Sequence, residues 1–132
     1  MTVFAIGIVL TRSIDNDFWA ASHQSLLYSA NAAEAQVIAV GKPAVILFKR
    51  DKNLSAEVEP VYNLLAAWPD DELVIRAHDL GQRDSEIFDY YATHGPDRAF
   101  FRFDEADPDK LQFLGMASEL ARTKSGQTIG PP

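Results

Sequence analysis

Residues 43–55 read PAVILFKRDKNLS, and this stretch decides the fold. The unbroken apolar run Ala44–Phe48 predicts a strand covered on both faces, which is typical of central strands in parallel sheets. Pro43 suits the entrance of that strand, because proline cannot donate a hydrogen bond to a ladder. The charged loop Lys49–Asn53 follows, and Ser55 then has the chemistry of a helix N-cap. The stretch therefore predicts a strand that leads into a helix.

On both sides of this unit, apolar strands alternate with segments of helical periodicity. Further strands are predicted at Gln24–Tyr28, Leu73–Ala77, Ala99–Phe103 and Leu111–Leu114, the last antiparallel to its predecessor. Helices are predicted at Ala32–Val40, at Ala56–Trp68, from Asp84 or Ser85 through Tyr91, and at Met116–Lys124. This order predicts an α/β fold whose mostly parallel, mixed sheet ends in a hairpin and carries helices on both faces.

The amino-terminal apolar run, Thr2–Thr11, predicts an extra strand within an extension over residues 1–23. Neither face of this strand is polar, so we expect it to join the sheet or to pair with a second subunit in a homodimer. The run lacks a preceding basic region and is too short to span a bilayer, which predicts a cytoplasmic protein without a membrane partner. Residues 125–132 have the composition of a flexible tail.

Length and composition restrict the function further. The chain has 132 residues, typical of a single domain over 1–132, and its formal charge of −7 argues against nucleic acid as a partner. It contains no cysteine, so thiol chemistry and cysteine-ligated metals are excluded. His23, His78 and His94 do not have the spacing of metal ligands, and we expect neither a metal nor another cofactor.

Two prolines add a resemblance to a known family. Pro60 lies inside the predicted helix 56–68, and Pro96 follows a Tyr-x-x-x-Gly pattern just before the aromatic strand Ala99–Phe103. In this order the chain, from about Gln24 to Lys124, resembles the thioredoxin fold, a three-layer sandwich. The resemblance implies that Lys52 and Ser55 stand where thioredoxins carry their cysteines. It also implies a cis Pro96 that faces residues 52–55.

A thioredoxin-like scaffold without its dithiol implies a binding module rather than an oxidoreductase, because disulfide exchange needs a thiolate. The stretch Asp51–Asp79 is also similar to hydrogenase-operon accessory proteins, which are chaperones, although the apolar amino terminus is not. We therefore expect a chaperone or assembly factor that holds a peptide or protein partner. The residues expected to bind that partner are Lys52, Asn53, Leu54, Ser55, His94, Gly95 and Pro96.

Two other functions stay open at this point. The crevice around Lys52, Ser55 and His94 would also suit an enzyme with non-redox chemistry. A structural protein that oligomerises through its amino-terminal strand is the other alternative.

Overall fold

The computed structural model describes residues 24–54, 59–63 and 67–126. A helix, α1, occupies residues 24–40 and is followed by strand β1 (Ala44–Lys49). The remaining elements are β2 (Val74–His78), α2 (Asp84–Thr93), β3 (Ala99–Asp104), β4 (Leu111–Met116) and α3 (Ala117–Gly126). Short 3₁₀ turns at Pro69–Asp71 and Gly81–Arg83 precede β2 and α2. The predicted extra strand Thr2–Thr11 lies outside the described residues.

The sheet has four strands in the order β2-β1-β3-β4. Strand β1 pairs in parallel with both β2 and β3, and β4 closes the sheet antiparallel to β3. The predicted mixed sheet with a terminal hairpin is therefore confirmed. The central position of β1 follows from its composition, because only a strand covered on both faces can be apolar throughout.

Helix α1 covers one face of the sheet. Its apolar residues recur at helical spacing and are buried: Leu26, Ala30, Ala33 and Val37. They pack against the alternate residues of β1 that point the same way, Ala44, Ile46 and Phe48. Gly41 ends the helix with a φ of +72°, and its backbone N–H donates to the Ile38 carbonyl at 2.9 Å.

Helices α2 and α3 cover the opposite face. Val45 and Leu47 of β1 point toward this side, where Ile87, Phe88 and Tyr91 of α2 and Leu120 of α3 pack on them and their neighbours. The ring of Phe88 meets that of Phe100 edge-on, with centroids 4.8 Å apart. Helices on both faces of the sheet confirm the predicted α/β class.

The prediction of a strand at Gln24–Tyr28 is wrong, because these residues form the first described turns of α1. The cause is an ambiguity of short apolar runs. Leu26 belongs to the same helical stripe as Ala30 and Ala33, but small alanines weaken the periodic signal from which a helix is recognised.

The prediction of a helix over 56–68 with Pro60 inside it is also wrong. Residues 59–63 are not helical, and their polar groups bind elsewhere. The Val61 N–H donates to Glu59 Oε1 at 2.9 Å, and the Pro60 carbonyl accepts from Arg76 at 2.9 Å. A proline inside a helix costs about 3 kcal/mol, and here these contacts stabilise the alternative.

Candidate binding site

The residues predicted to bind a partner lie in two separate places. Lys52–Leu54 follow the carboxyl end of β1, and Ser55 lies outside the described residues. His94–Pro96 precede the amino end of β3. β1 and β3 are parallel, with Ala44 beside Ala99 and Lys49 beside Asp104. The carboxyl end of β1 and the amino end of β3 therefore lie at opposite ends of the strands.

The described part of the predicted groove, residues 52–54, therefore does not face Pro96, and Lys52 and His94 do not share a single crevice. The described residues also contain no cis peptide bond, so the expectation of a cis Pro96 is not met. The reason lies in the topology: a crossover through α2 returns the chain to the amino edge before β3 begins.

A charged cleft of about 540 Å³ lies at the carboxyl edge of the parallel strands. Three ion pairs line it: Lys49 with Asp104 at 2.7 Å, Arg102 with Asp79 at 2.5 Å, and Lys110 with Asp107 at 2.7 Å. Ligands of α/β sheets commonly bind at this edge. Here, however, each of the three cations is engaged by a carboxylate, so an ionic ligand would have to displace an internal partner.

Beneath the cleft, two carboxylates shape the loop between β2 and α2. Asp84 is buried and accepts from the Leu80 N–H at 2.7 Å, and Asp79 accepts from the Gly81 N–H at 2.8 Å. Burial raises the pKa of Asp84. At Asp79 the effect of burial is outweighed by hydrogen bonds from Gly81 and Arg102, which lower its pKa. This pair has the features of a loop anchor, since both carboxylates hold backbone groups.

An apolar groove of about 320 Å³ opens between α2 and the edge strand β2. Its walls are formed by Val45, Ile75, Ala77, Ile87, Tyr90 and Tyr91, with Glu86 at the margin. The groove exists because α2 and α3 lie side by side, and α3 follows directly from β4 at the far end of the sheet. Strand β2 is thus the margin of the sheet that these two helices cover least.

Several exposed apolar side chains lie on the groove or in the chain segments next to β2. Leu73 comes directly before β2 and is 44% exposed, and Leu80 follows its end and is 50% exposed. Tyr90 on α2 is 43% exposed, and Trp68, at the start of the 3₁₀ turn that carries Asp70, is 73% exposed. Single exposed apolar residues are ordinary, but an exposed tyrosine on the wall of an apolar groove indicates a contact surface.

The wall of the groove is fixed by hydrogen bonds at the amino edge of the sheet. The hydroxyls of Tyr90 and Tyr91 donate to the two oxygens of Asp70, at 2.9 Å and 2.5 Å. Both hydrogen bonds lower the pKa of Asp70, and the one from Tyr91 has the larger effect. Burial and the bond to Asp70 raise the pKa of Tyr91. Helix α2 is thereby tied to the turn before β2.

Buried Arg98 supports the same region from below. Its guanidinium donates to the backbone carbonyls of Asp70 at 2.7 Å and Glu72 at 3.0 Å, and it lies 5.2 Å from the ring centre of Tyr91. The turn that carries Asp70 is thus held both by its side chain and by its backbone. These contacts hold this part of the groove wall in a fixed position.

Part of the predicted site lies next to this groove. His94, Gly95 and Pro96 line a small cavity of about 140 Å³ together with Asp70, Arg98 and the two tyrosines. The His94 ring stacks on Tyr90, with centroids 4.6 Å apart. Tyr90 and Tyr91 belong to both cavities. The segment at 94–96 therefore flanks the groove, whereas Lys52–Leu54 do not.

Sequence reasoning missed the groove residues because their pattern is that of a core. Ile75 and Ala77 belong to a predicted strand, and Ile87 to the apolar stripe of a predicted helix. One signal was available: Trp68 and Leu73 enclose the acidic run Asp70–Glu72, which places large apolar residues in a polar turn.

Comparisons with known proteins give no relative. No family model, curated protein or solved structure matches the chain significantly. Within the described residues, no cluster of potential ligands could hold a metal ion. No helix in that part of the chain has the length and apolar character needed to cross a membrane.

Proposed function

We propose that this protein is a binding module that takes an apolar side chain of a partner protein into the groove between α2 and β2. One observation carries the proposal. The groove is a cavity of about 320 Å³ with apolar walls, and no side chain of the described residues fills it. An apolar recess that opens on the surface beside a helix is a site that suits an apolar side chain of a partner.

The dimensions and surroundings of the groove suit a side-chain anchor. Interfaces gain most of their affinity from a few apolar or aromatic residues seated in such recesses. The exposed ring of Tyr90 lines the groove, and tyrosine is among the residue types enriched in protein interfaces. The hydrogen bonds to Asp70 hold Tyr90 in place before binding, which lowers the ordering cost.

The proposal keeps the expected class of function and moves its location. A peptide or protein partner was expected at residues 52–55 and 94–96. The groove retains only His94–Pro96, as a flank. Kinship with cysteine-free thioredoxin-like chaperones is compatible with this role, but the groove supports the proposal without it.

The edge of β2 itself is a poor site for strand addition. The Asn63 side chain accepts from the Arg76 N–H at 2.9 Å and donates to the Arg76 carbonyl at 3.0 Å. Arg76 lies in the middle of β2, so an added strand would need these groups to pair along it. We therefore expect recognition through the groove rather than through backbone pairing along β2.

A groove-filling variant tests the proposal. Ala77→Leu replaces a methyl group in the wall of the groove with an isobutyl group and removes no polar contact. Random peptides displayed on phage are selected against the wild-type protein, and the enriched peptides are then tested on both proteins. We expect peptides that share an apolar residue and that lose at least about tenfold in affinity for the variant, since filling an anchor recess costs about 1.4 kcal/mol or more.

Ile38→Glu is the matched control, because Ile38 is an exposed apolar residue of α1 on the opposite face of the sheet. Its affinity for the selected peptides should equal that of the wild type. Urea denaturation should give similar midpoints for Ala77→Leu and the wild type. Enriched peptides that bind Ala77→Leu unchanged, or a selection that enriches nothing, would refute the groove as the site.

A further inference from the structure

We propose that the partner segment seated in the groove is basic, with lysine or arginine next to its apolar anchor. This inference rests on the proposed function and specifies the chemistry of the partner. It follows from the charges in two chain segments next to the groove, residues 67–73 and 84–91, which are all negative.

These two segments contain only acidic charges. Residues 67–73, before β2, include Asp70, Asp71 and Glu72 and no basic residue. Residues 84–91, along α2, include Asp84, Glu86 and Asp89 and again no basic residue. Of these carboxylates Glu86 lines the groove, and Asp70 accepts hydrogen bonds from the groove residues Tyr90 and Tyr91, whereas Asp84 is buried.

The basic residues near this surface do not reverse its sign. Arg83 pairs with Glu86 at 3.2 Å, and Lys124 lies 3.9 Å from Asp89. Arg98 is buried and directs its guanidinium at backbone carbonyls. Asp71, next to Asp70 in the chain, is exposed and adds negative charge close to Trp68 in the sequence. Hydrogen bonds from the tyrosines keep Asp70 ionised, because they lower its pKa.

Exposed aromatic rings favour the same chemistry. A lysine or arginine that lies over the face of a tryptophan or tyrosine gains a cation–π interaction. Trp68 and Tyr90 both border the acidic run and are exposed. A cation next to the anchor could thus contact a carboxylate and a ring at once.

A second copy of this chain fits the groove less well. The chain carries a formal charge of −7, so two copies that meet at this acidic surface would repel each other. A basic segment instead gains attraction at the same place. The negative charge of this surface therefore favours a basic foreign partner over a second copy of this chain.

A pair of synthetic peptides tests the inference. Both have leucine at the centre, blocked ends and serine at the spacer positions, and they differ only in lysine or glutamate on each side of the leucine. Fluorescence anisotropy with labelled peptides gives their affinities. We expect the lysine peptide to bind at least about tenfold more tightly at low salt, and the difference to shrink as salt screens the charges.

Charge reversal at Asp71 locates the effect. Asp71 is exposed, and Asp71→Lys leaves the bonds of Asp70 to the tyrosines intact. The affinity for the lysine peptide should fall about three- to tenfold, as expected for an exposed charge contact. Asp109→Lys, in the exposed turn between β3 and β4, makes the same change in net charge and should have little effect.

The outcomes separate this inference from the proposed function. Equal affinity of the two peptides, with loss of binding to Ala77→Leu, would overturn the basic partner and leave the groove as a binding site. Equal losses in Asp71→Lys and Asp109→Lys would show a general charge effect and also overturn the inference. Affinity for the lysine peptide that Ala77→Leu leaves unchanged would overturn both. A dimer in light scattering that Ala77→Leu dissociates would assign the groove to a second copy.

Discussion

Arg76 and Arg98 are among the buried charged residues of the described structure, and their guanidinium groups are satisfied in different ways. Arg76 forms an ion pair with Glu34 of α1 and lies 4.7 Å from the ring centre of Tyr62. Arg98 instead donates to backbone carbonyls. A buried charge without such partners would cost several kcal/mol. Both arginines join segments that are distant in the chain.

The tyrosine bonds to Asp70 make stability depend on pH at one identifiable residue. The pKa of Asp70 is lowered from its usual 3.8, so these bonds stabilise the fold above that pH. This contribution is lost as the pH falls through the lowered pKa. Tyr91→Phe should bring the pKa of Asp70 back toward 3.8, because it removes the 2.5 Å bond and keeps the ring. A carboxyl carbon-13 titration measures that pKa.

The same variant should be less stable than the wild type at pH 7, and the difference should shrink in acid. Urea denaturation at pH 7 and at pH 3 measures the two free energies of unfolding. Tyr28→Phe is the control, because Tyr28 is 77% exposed on α1 and should change neither quantity. An unchanged titration midpoint for Asp70 in Tyr91→Phe would contradict the account.

At the scale of single elements, the edge of β2 shows how the sheet ends on that side. The Ala44 N–H donates to the Leu73 carbonyl and the Asp79 N–H to the Phe48 carbonyl, so alternate residues of β2 face β1. Arg76 lies between them in this alternation, and its N–H and carbonyl point outward. Asn63 binds both groups with its side-chain amide. The amide thereby takes the place of a neighbouring strand.

Asn63→Ala should remove this cap and leave two backbone groups without their partner. We expect a loss of about 1–2 kcal/mol in the free energy of unfolding, together with a greater tendency to associate through the edge. Urea denaturation and light scattering measure the two effects. Asn53→Ala, which removes an exposed bond to Asp51, should stay within about 0.5 kcal/mol. Equal losses in the two variants would rule out a special role for Asn63.

The sequence predicts an element correctly where the pattern that identifies it lies in neighbouring residues. Strand β1 and the helix end at Gly41 follow from an apolar run and a single residue type, and both are confirmed. The segment at 59–63 is different. Its conformation depends on Arg76, which binds the Pro60 carbonyl and the Asn63 side chain from a distant strand. Apolar periodicity around Pro60 could not reveal these contacts.

The candidate site could be predicted only in part, for a related reason. His94–Pro96 do lie beside the groove. They could be predicted because the turn before β3 is recognisable from the sequence. The groove itself depends on how far α2 lies from the margin of the sheet, which no residue pattern encodes. Ile75 and Ile87 have the pattern of core residues, and only the packing leaves space between them.

At the scale of the whole molecule, β1 is the centre of the cooperative unit. It is paired on both sides, and Val45, Ile46 and Leu47 have no exposed surface. Their amides should exchange with solvent most slowly, with a free energy equal to that of global unfolding. Strand β4 has one ladder partner among the described strands, so its outward amides should exchange faster through local openings. Native-state hydrogen exchange by NMR measures both, and faster exchange in β1 than in β4 would contradict this order.

The contacts of Arg98 also bear on how this chain can evolve. The acceptors of its guanidinium are backbone carbonyls, and those within 3.3 Å belong to Asp70, Glu72 and Leu73. Every amino acid offers the same carbonyl, so mutations at those three positions leave the contact intact, whereas a mutation of Arg98 removes it entirely. In a set of homologues, position 98 should therefore stay arginine while its partners drift, and methods that infer contacts from correlated substitutions would not detect one of the contacts on which the fold depends.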